Sequence, residues 1–79
     1  MSAPLLKLDL TGLKCPLPAL RTRKALRTLA PGAQIEVVCT DPMATIDIPN
    51  MVRETGDILV ESVRRETHLL FRIRKAELS

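Results

Sequence analysis

The chain has 79 residues, of which 46% are hydrophobic and 27% are charged, and its formal net charge is +3. This length and composition predict one domain over residues 1–79 with one core, and they exclude a disordered tail, a collagen-like repeat and a fibre. Two cysteines are too few for the disulfide framework of a small secreted protein. The longest uncharged run, 28–35, is far shorter than the roughly 20 apolar residues that cross a membrane. We therefore expect a cytoplasmic domain with reduced thiols and no membrane association.

Two strands and a helix are predicted in the first half of the chain. Apolar and polar residues alternate over 5–10 and over 34–40, which is typical of strands with one buried side. Between them, residues 16–30 follow the helical period, with Pro16 at the first helical position and Pro31 ending the helix. A short loop joins the first strand to this helix, and Gly12 is expected to adopt a positive φ there.

A second helix follows the second strand. Asp41 and Pro42 indicate a turn first, because Pro49 would break a helix that began at Pro42. Asp47 is then predicted to cap the helix proper, which ends at Gly56.

Two further strands are predicted over 58–64 and 68–74, joined as a hairpin. The element order is thus β-α-β-α-β-β. Short connections and right-handed crossovers place both helices on one face of the sheet. The predicted fold is an α/β (α+β) two-layer sandwich with a four-stranded mixed sheet.

Cys15 is the residue that most clearly indicates chemistry. It lies where the first loop meets the first helix, and unpaired N–H groups at a helix start stabilise a thiolate. Pro16 and Pro18 donate no hydrogen bond there, which leaves the amides of the intervening and following residues, Leu17, Ala19 and Leu20. Lowering a thiol pKa from about 8.5 to about 7 requires about 2 kcal/mol, whereas a helix terminus supplies about 0.3 to 1. Lys14 and the basic residues of the helix are expected to supply the remainder. The alternative is a small buried hydrophobic residue.

The other candidates for chemistry are weaker. Cys39 shares the inner side of its strand with Ile35 and is expected in the core. The two cysteines and His68 lack a zinc-ligand spacing, so no metal site is expected. Asp41 and Asp47 precede helical turns, where capping is the expected role.

One side of the first helix is basic but also carries two leucines. Its residues are Leu17, Leu20, Arg21, Arg23, Lys24 and Arg27. Apolar side chains within a charged face favour a surface that docks a partner. The alternative is a solvated helix face.

The segment Gly12-Leu13-Lys14-Cys15-Pro16-Leu17-Pro18 resembles the CPxP signature of the TusA/SirA family of sulfur carrier proteins. The resemblance extends to Thr40-Asp41-Pro42, Asp47-Ile48-Pro49 and residues 72–75, and so covers nearly the whole chain. It implies a sandwich similar to the C-terminal domain of translation initiation factor three.

The resemblance also implies a function. Members of the family accept sulfane sulfur from a cysteine desulfurase or a rhodanese-like donor, hold it as a persulfide on the cysteine matched by Cys15, and pass it to a partner's cysteine. They serve tRNA thiolation, molybdenum cofactor assembly or sulfur oxidation. The chain would then be a stoichiometric carrier rather than a turnover enzyme, with no cofactor beyond the transient persulfide. The residues expected to support Cys15 are Gly12, Lys14, Pro16, Pro18, Asp41 and Asp47. Val52 stands where some members carry a second cysteine.

Two other functions are consistent with the residues. The arginines of the first helix and last strand could contact phosphates in an RNA-binding or regulatory module. Because Phe71 is the only aromatic residue, base stacking is disfavoured and stable nucleic-acid binding is not expected. A thiol redox protein is disfavoured by the absence of a CxxC motif.

Overall fold

The computed structural model describes residues 5–77. Its elements are β1 (Leu5–Leu10), α1 (Leu17–Arg27), β2 (Gln34–Cys39), α2 (Ala44–Thr55), β3 (Ile58–Arg64) and β4 (Leu69–Arg74). The predicted order β-α-β-α-β-β is confirmed. Residues 1–4 and 78–79, which the predicted domain over 1–79 includes, lie outside the described residues. Within 5–77, no helix is long and apolar enough to cross a membrane.

The four strands form one mixed sheet in the order β1-β2-β4-β3. β1 pairs with β2 in parallel, whereas β4 is antiparallel to both β2 and β3. The helices contact each other and one face of the sheet, which confirms the two-layer sandwich.

Alternating residues of the two central strands form the sheet side of the core. In β2 the buried residues include Ile35 and Val37, and in β4 they include Phe71 and Ile73. Leu26 of α1 and three residues of α2 cover them, Ile48, Met51 and Val52. The inner side predicted for β2, which carries Ile35 and Cys39, is confirmed.

Helix α1 is shorter than the predicted span of 16–30. Pro16 occupies the cap position, one residue before the helix. At the other end, the N–H groups of Thr28 and Leu29 donate to carbonyls three residues earlier, at 3.0 and 3.2 Å. This tighter turn ends the helix ahead of Pro31, because a residue before proline is disfavoured in helical conformation. Ala30, the last residue of the predicted helix, lies outside α1 and is exposed.

Helix α2 begins at Ala44, earlier than predicted, and includes Pro49. The prediction that Asp47 caps this helix is therefore wrong, because Asp47 already lies in its first turn. A proline inside a helix costs about 3 kcal/mol. Burial of Ala44 and Ile48 against the core offsets that cost, since both side chains are at most 2% exposed. Gly56 ends the helix in the left-handed conformation, as predicted.

Candidate functional site

The site is built where two loops meet at one edge of the sheet. Parallel pairing places Leu10 opposite Cys39, so β1 and β2 end side by side. The loop that leaves β1 turns at Gly12, whose φ of +84° confirms the predicted positive value. The Gly12 N–H donates to Thr40 Oγ1 at 2.8 Å, which ties this loop to the end of β2. The loop that carries Cys15 is thus held against the segment that joins β2 to α2.

Asp41 accepts backbone hydrogen bonds from both segments that form the site, the loop after β1 and the turn before α2. One carboxylate oxygen accepts the Cys15 N–H, and the other accepts the Met43 N–H at 3.0 Å. These two hydrogen bonds, from Met43 first and then from Cys15, lower the pKa of Asp41, and the charge of Lys14 lowers it further. Asp41 caps the turn before α2, as predicted, and it also positions Cys15.

Asp47 contacts the sulfur atom itself. The Cys15 thiol donates to Asp47 Oδ2 with an Sγ–Oδ2 distance of 2.7 Å. Because α2 begins three residues before Asp47, this side chain projects from the first helical turn towards the loop that carries Cys15. The expected capping role is replaced by a hydrogen bond to the candidate nucleophile.

The prediction of an activated Cys15 thiolate is wrong for the free chain. The hydrogen bond to Asp47 raises the pKa of Cys15, and partial desolvation and the charges of Asp47 and Asp41 raise it further. Two of the amides expected to stabilise a thiolate have other acceptors. Leu17 donates to the Lys14 carbonyl at 2.8 Å, and Leu20 donates to the Pro16 carbonyl at 3.1 Å.

Cys15 is nevertheless exposed, as a nucleophile must be, whereas Cys39 is buried. Pro16 follows Cys15 through a cis peptide bond, and Pro18 is buried in the first turn of α1. Burial raises the pKa of Cys39 to about 11, in keeping with its predicted place in the core. Neither cysteine is in a disulfide.

A groove between α1 and α2 begins at Cys15. Its volume is about 250 Å³, and Pro16, Leu20, Asn50 and Met51 are among the residues that line it. Asn50 and Met51 were not predicted as site residues, because only the packing of α2 against α1 brings them beside the cysteine. The helical spacing of Met51 with Ile48 was the one signal in the sequence that could have placed Met51 near α1.

The predicted docking residues are exposed on α1, and two of them, Leu20 and Arg23, line this groove. Leu17 and Leu20 are 42% and 55% exposed. The four basic residues of this side are exposed as well, Arg21, Arg23, Lys24 and Arg27. In residues 5–77 none of these four is paired with a carboxylate, since the ion pairs found there join Arg72 to Glu36 and Glu61. The same residues contain no group of three side chains that could hold a metal ion.

Known proteins resemble the chain over nearly its whole length. The family model of sulfurtransferase TusA matches residues 6–75. A protein named sulfur carrier protein TusA from Allochromatium vinosum is 37% identical over 70 residues, which are 89% of this chain and 92% of that protein. A protein of the same name from Pseudomonas aeruginosa is 41% identical over 68 residues, 86% of each chain.

A solved structure supports the fold. The crystal structure of a SirA-like protein from Desulfitobacterium hafniense superposes with a TM-score of 0.79 and 23% identity, covering 91% of this chain and 99% of that one. The family match and the two relatives agree with the CPxP segment around Cys15. The chain belongs to the TusA family of sulfurtransferases.

Proposed function

We propose that this chain is a sulfur carrier that holds sulfane sulfur as a persulfide on Cys15. The observation that carries the proposal is the placement of Cys15, an exposed thiol whose amide and sulfur are both held by carboxylates at the mouth of a groove. The names of the two relatives support it. We extend the proposal to one carrier domain over residues 1–79, working in the cytoplasm, where thiols are kept reduced.

Sulfur uptake begins with attack by Cys15 on a donor persulfide. The Cys15 thiolate attacks the outer sulfur of the donor, the S–S bond of the donor breaks, and its cysteine leaves as a thiolate. The outer sulfur is transferred with its oxidation state unchanged, so the step needs no cofactor. A cysteine desulfurase or a rhodanese-like protein supplies a persulfide of this kind.

Sulfur release repeats the chemistry with the roles exchanged. The thiolate of an acceptor protein attacks the outer sulfur of the Cys15 persulfide, and Cys15 leaves as a thiolate. The acceptor carries a reactive cysteine, and tRNA thiolation is one process in which its product is used. Pro16 and Pro18 stiffen the backbone on the C-terminal side of Cys15, because their rings fix φ.

The basic side of α1 is the surface that we propose docks these partners. Leu17 and Leu20 are apolar and more than 40% exposed, and Leu20 lines the groove together with Cys15. The surrounding cations have no carboxylate partner within the described residues, so they are available to an acidic surface. Apolar contacts then stabilise the complex, whereas the rim charges speed the encounter.

Loading and release can be followed with labelled sulfur. The chain is incubated with a cysteine desulfurase and ³⁵S-cysteine, separated from the donor, and then treated with reduced glutathione. We expect label to remain on the chain until the thiol is added and then to move to the small-molecule fraction. A chain that takes up no label, or that keeps it after thiol treatment, would contradict the proposal. Cys15→Ser is the control that should remain unlabelled.

A further inference from the structure

The side chains that contact Cys15 are acidic. A cysteine that is always active as a nucleophile would instead need cations beside its sulfur, because cations stabilise the thiolate. Asp47 accepts the thiol hydrogen, and the carboxylate of Asp41 lies at the backbone of the same residue. Both charges favour the neutral thiol over the thiolate. We therefore expect the Cys15 thiol to react slowly in the free chain.

The cations near the thiol do not neutralise Asp47. Lys14, on the loop before the cysteine, acts on Asp41. Arg23 of α1 lines the groove but forms no ion pair with a carboxylate in residues 5–77. Glu54 of α2 adds another negative charge to the same groove.

Only one of the two carboxylate oxygens of Asp47 has a partner among the described residues. Its Oδ2 accepts the Cys15 thiol, whereas Oδ1 makes no hydrogen bond or ion pair with another described residue. Asp47 is partly exposed at the mouth of the groove. A cation brought by a partner can therefore reach this carboxylate from outside, and it would compete with the thiol for the negative charge.

We propose that Asp47 is a specificity-determining residue, which keeps Cys15 a thiol until a partner places a cation against the Asp47 carboxylate. The free carrier is then slow with small thiol reagents and fast with partners whose reactive sulfur lies beside an arginine, lysine or ammonium group. The inference rests on the proposed sulfur carrier function and names the chemistry of the donor and acceptor sites that it fits.

The chemical step under this proposal is balanced. The partner cation pairs with Asp47, the hydrogen bond to the Cys15 thiol weakens, and the thiol proton is lost to solvent. The thiolate then attacks the outer sulfur of the donor persulfide. The departing donor thiolate takes a proton from solvent, and one zero-valent sulfur has moved with no net oxidation or reduction.

Charged disulfides test this proposal without any protein partner. Thiol–disulfide exchange uses the same thiolate attack. Three symmetrical alkyl disulfides serve as probes, and they differ mainly in charge: cystamine is cationic, hydroxyethyl disulfide is neutral and dithiodipropionate is anionic. We would measure their second-order rate constants with Cys15 from pH 6 to 10, in a Cys39→Ala background so that one thiol reports.

For the parental chain we expect cystamine to react fastest and dithiodipropionate slowest. Asp47→Asn should shift the pH profile to lower pH. For each unit by which the thiol pKa falls, the thiolate fraction at neutral pH rises about tenfold and its nucleophilicity falls about threefold, a net gain of about threefold with hydroxyethyl disulfide. The same variant should reduce the preference for cystamine over dithiodipropionate by about threefold or more.

Glu54→Gln is the matched control. It removes one negative charge from the same groove but leaves the hydrogen bond between Cys15 and Asp47 in place. It should change the hydroxyethyl disulfide rate and shift the pH profile less than Asp47→Asn does, because Glu54 has no hydrogen bond to the thiol in the described residues. A general effect of groove charge would instead make the two variants alike, and that result would overturn the specific role of Asp47.

Two further results would overturn the proposal. One is an Asp47→Asn rate with hydroxyethyl disulfide that is unchanged or lower while circular dichroism shows an intact fold. The other is a preference of Asp47→Asn for cystamine over dithiodipropionate that equals the preference of the parental chain. Neither of these measurements depends on sulfur loading. A chain that shows the predicted disulfide kinetics but accepts no ³⁵S would therefore contradict the carrier function and leave the role of Asp47 intact.

Discussion

The sulfur atom of Cys15 lies 2.7 Å from Oδ2 of Asp47, although the two residues are 32 positions apart in the chain. The bond joins the loop after β1 to the first turn of α2. It raises the pKa of the thiol and fixes the direction of the sulfur at the mouth of the groove. One carboxylate thereby both raises the pKa of the candidate nucleophile and orients its sulfur atom.

The two cysteines should differ in their rates of alkylation. Cys15 is exposed and Cys39 is buried, with burial raising the pKa of Cys39 to about 11. We expect iodoacetamide to modify Cys15 faster at neutral pH, as measured by peptide-level mass spectrometry of the native protein. Because the pKa of Cys15 is itself raised, its rate should keep increasing as the pH rises above 9. Equal rates, or faster modification of Cys39, would contradict the burial pattern.

Asp41 should make stability depend on pH. Its folded-state pKa is lowered by the amides of Met43 and Cys15, so the stabilisation is complete above the unfolded-state pKa of about 3.9 and is lost as the pH falls through the folded value. We expect Asp41→Asn to be less stable than the parental chain at pH 7 in urea unfolding, and the difference to shrink below about pH 3.9. A difference that stays constant from pH 7 to pH 2 would mean that the charge of Asp41 is not what stabilises the loop.

Gly12 should be needed to place the loop that carries Cys15. An added Cβ would meet nothing within 4 Å, so the cost of Gly12→Ala lies in its φ of +84° and amounts to about 1 to 2 kcal/mol of unfolding free energy. Gly56 has a similar φ of +81° at the end of α2, and an added Cβ there also meets nothing within 4 Å. Both variants should lose similar stability, but only Gly12→Ala should slow sulfur loading. Equal loading by the two variants would show that the turn does not position Cys15.

The docking surface predicts two separable effects on sulfur transfer. Leu20 is 55% exposed, so burying the rest of its side chain on a partner contributes about 1 to 1.5 kcal/mol, and Leu20→Ser should slow transfer at every ionic strength. Lys24→Glu combined with Arg27→Glu should slow association most at low salt, where screening is least. Stopped-flow transfer from a cysteine desulfurase, measured against salt concentration, separates the two.

Val60 is the matched control for this surface. It is 47% exposed at the bulge of β3, away from the groove. Val60→Ser should transfer sulfur at the parental rate. If Leu20→Ser also does so while its fold remains intact, the basic side of α1 is only a solvated helix face.

The two central strands and their buried sides could be predicted from the sequence because alternation is a local pattern, whereas β1 buries only Leu10 and Leu6 remains 41% exposed. Val37 and Phe71 are completely or almost completely buried, as their positions in the alternating runs indicate. The start of α2 could not be predicted in the same way. Pro49 indicates a break locally, but burial of Ala44 and Ile48, which depends on the assembled core, favours a continuous helix.

In the candidate site, too, local features could be predicted from the sequence and long-range contacts could not. Cys15 could be identified from its place before a helix and from the CPxP segment. Its contacts with Asp41 and Asp47 could not, because they join residues 26 and 32 positions apart and exist only once β1 and β2 pair in parallel. The sequence therefore indicated Cys15 as the candidate nucleophile, but it also indicated a lowered pKa for a thiol whose carboxylate neighbours raise it.

Intact-mass analysis can show whether Cys15 is the residue that carries the sulfur. The native chain is incubated with a cysteine desulfurase and cysteine, and the parental protein is compared with Cys15→Ser and Cys39→Ala. We predict that the parental chain and Cys39→Ala gain the mass of sulfur, that reductant removes it, and that Cys15→Ser gains none while remaining folded. Reductant-labile sulfur on Cys15→Ser, or its absence from a folded Cys39→Ala, would mean that Cys15 is not the residue that carries the sulfur.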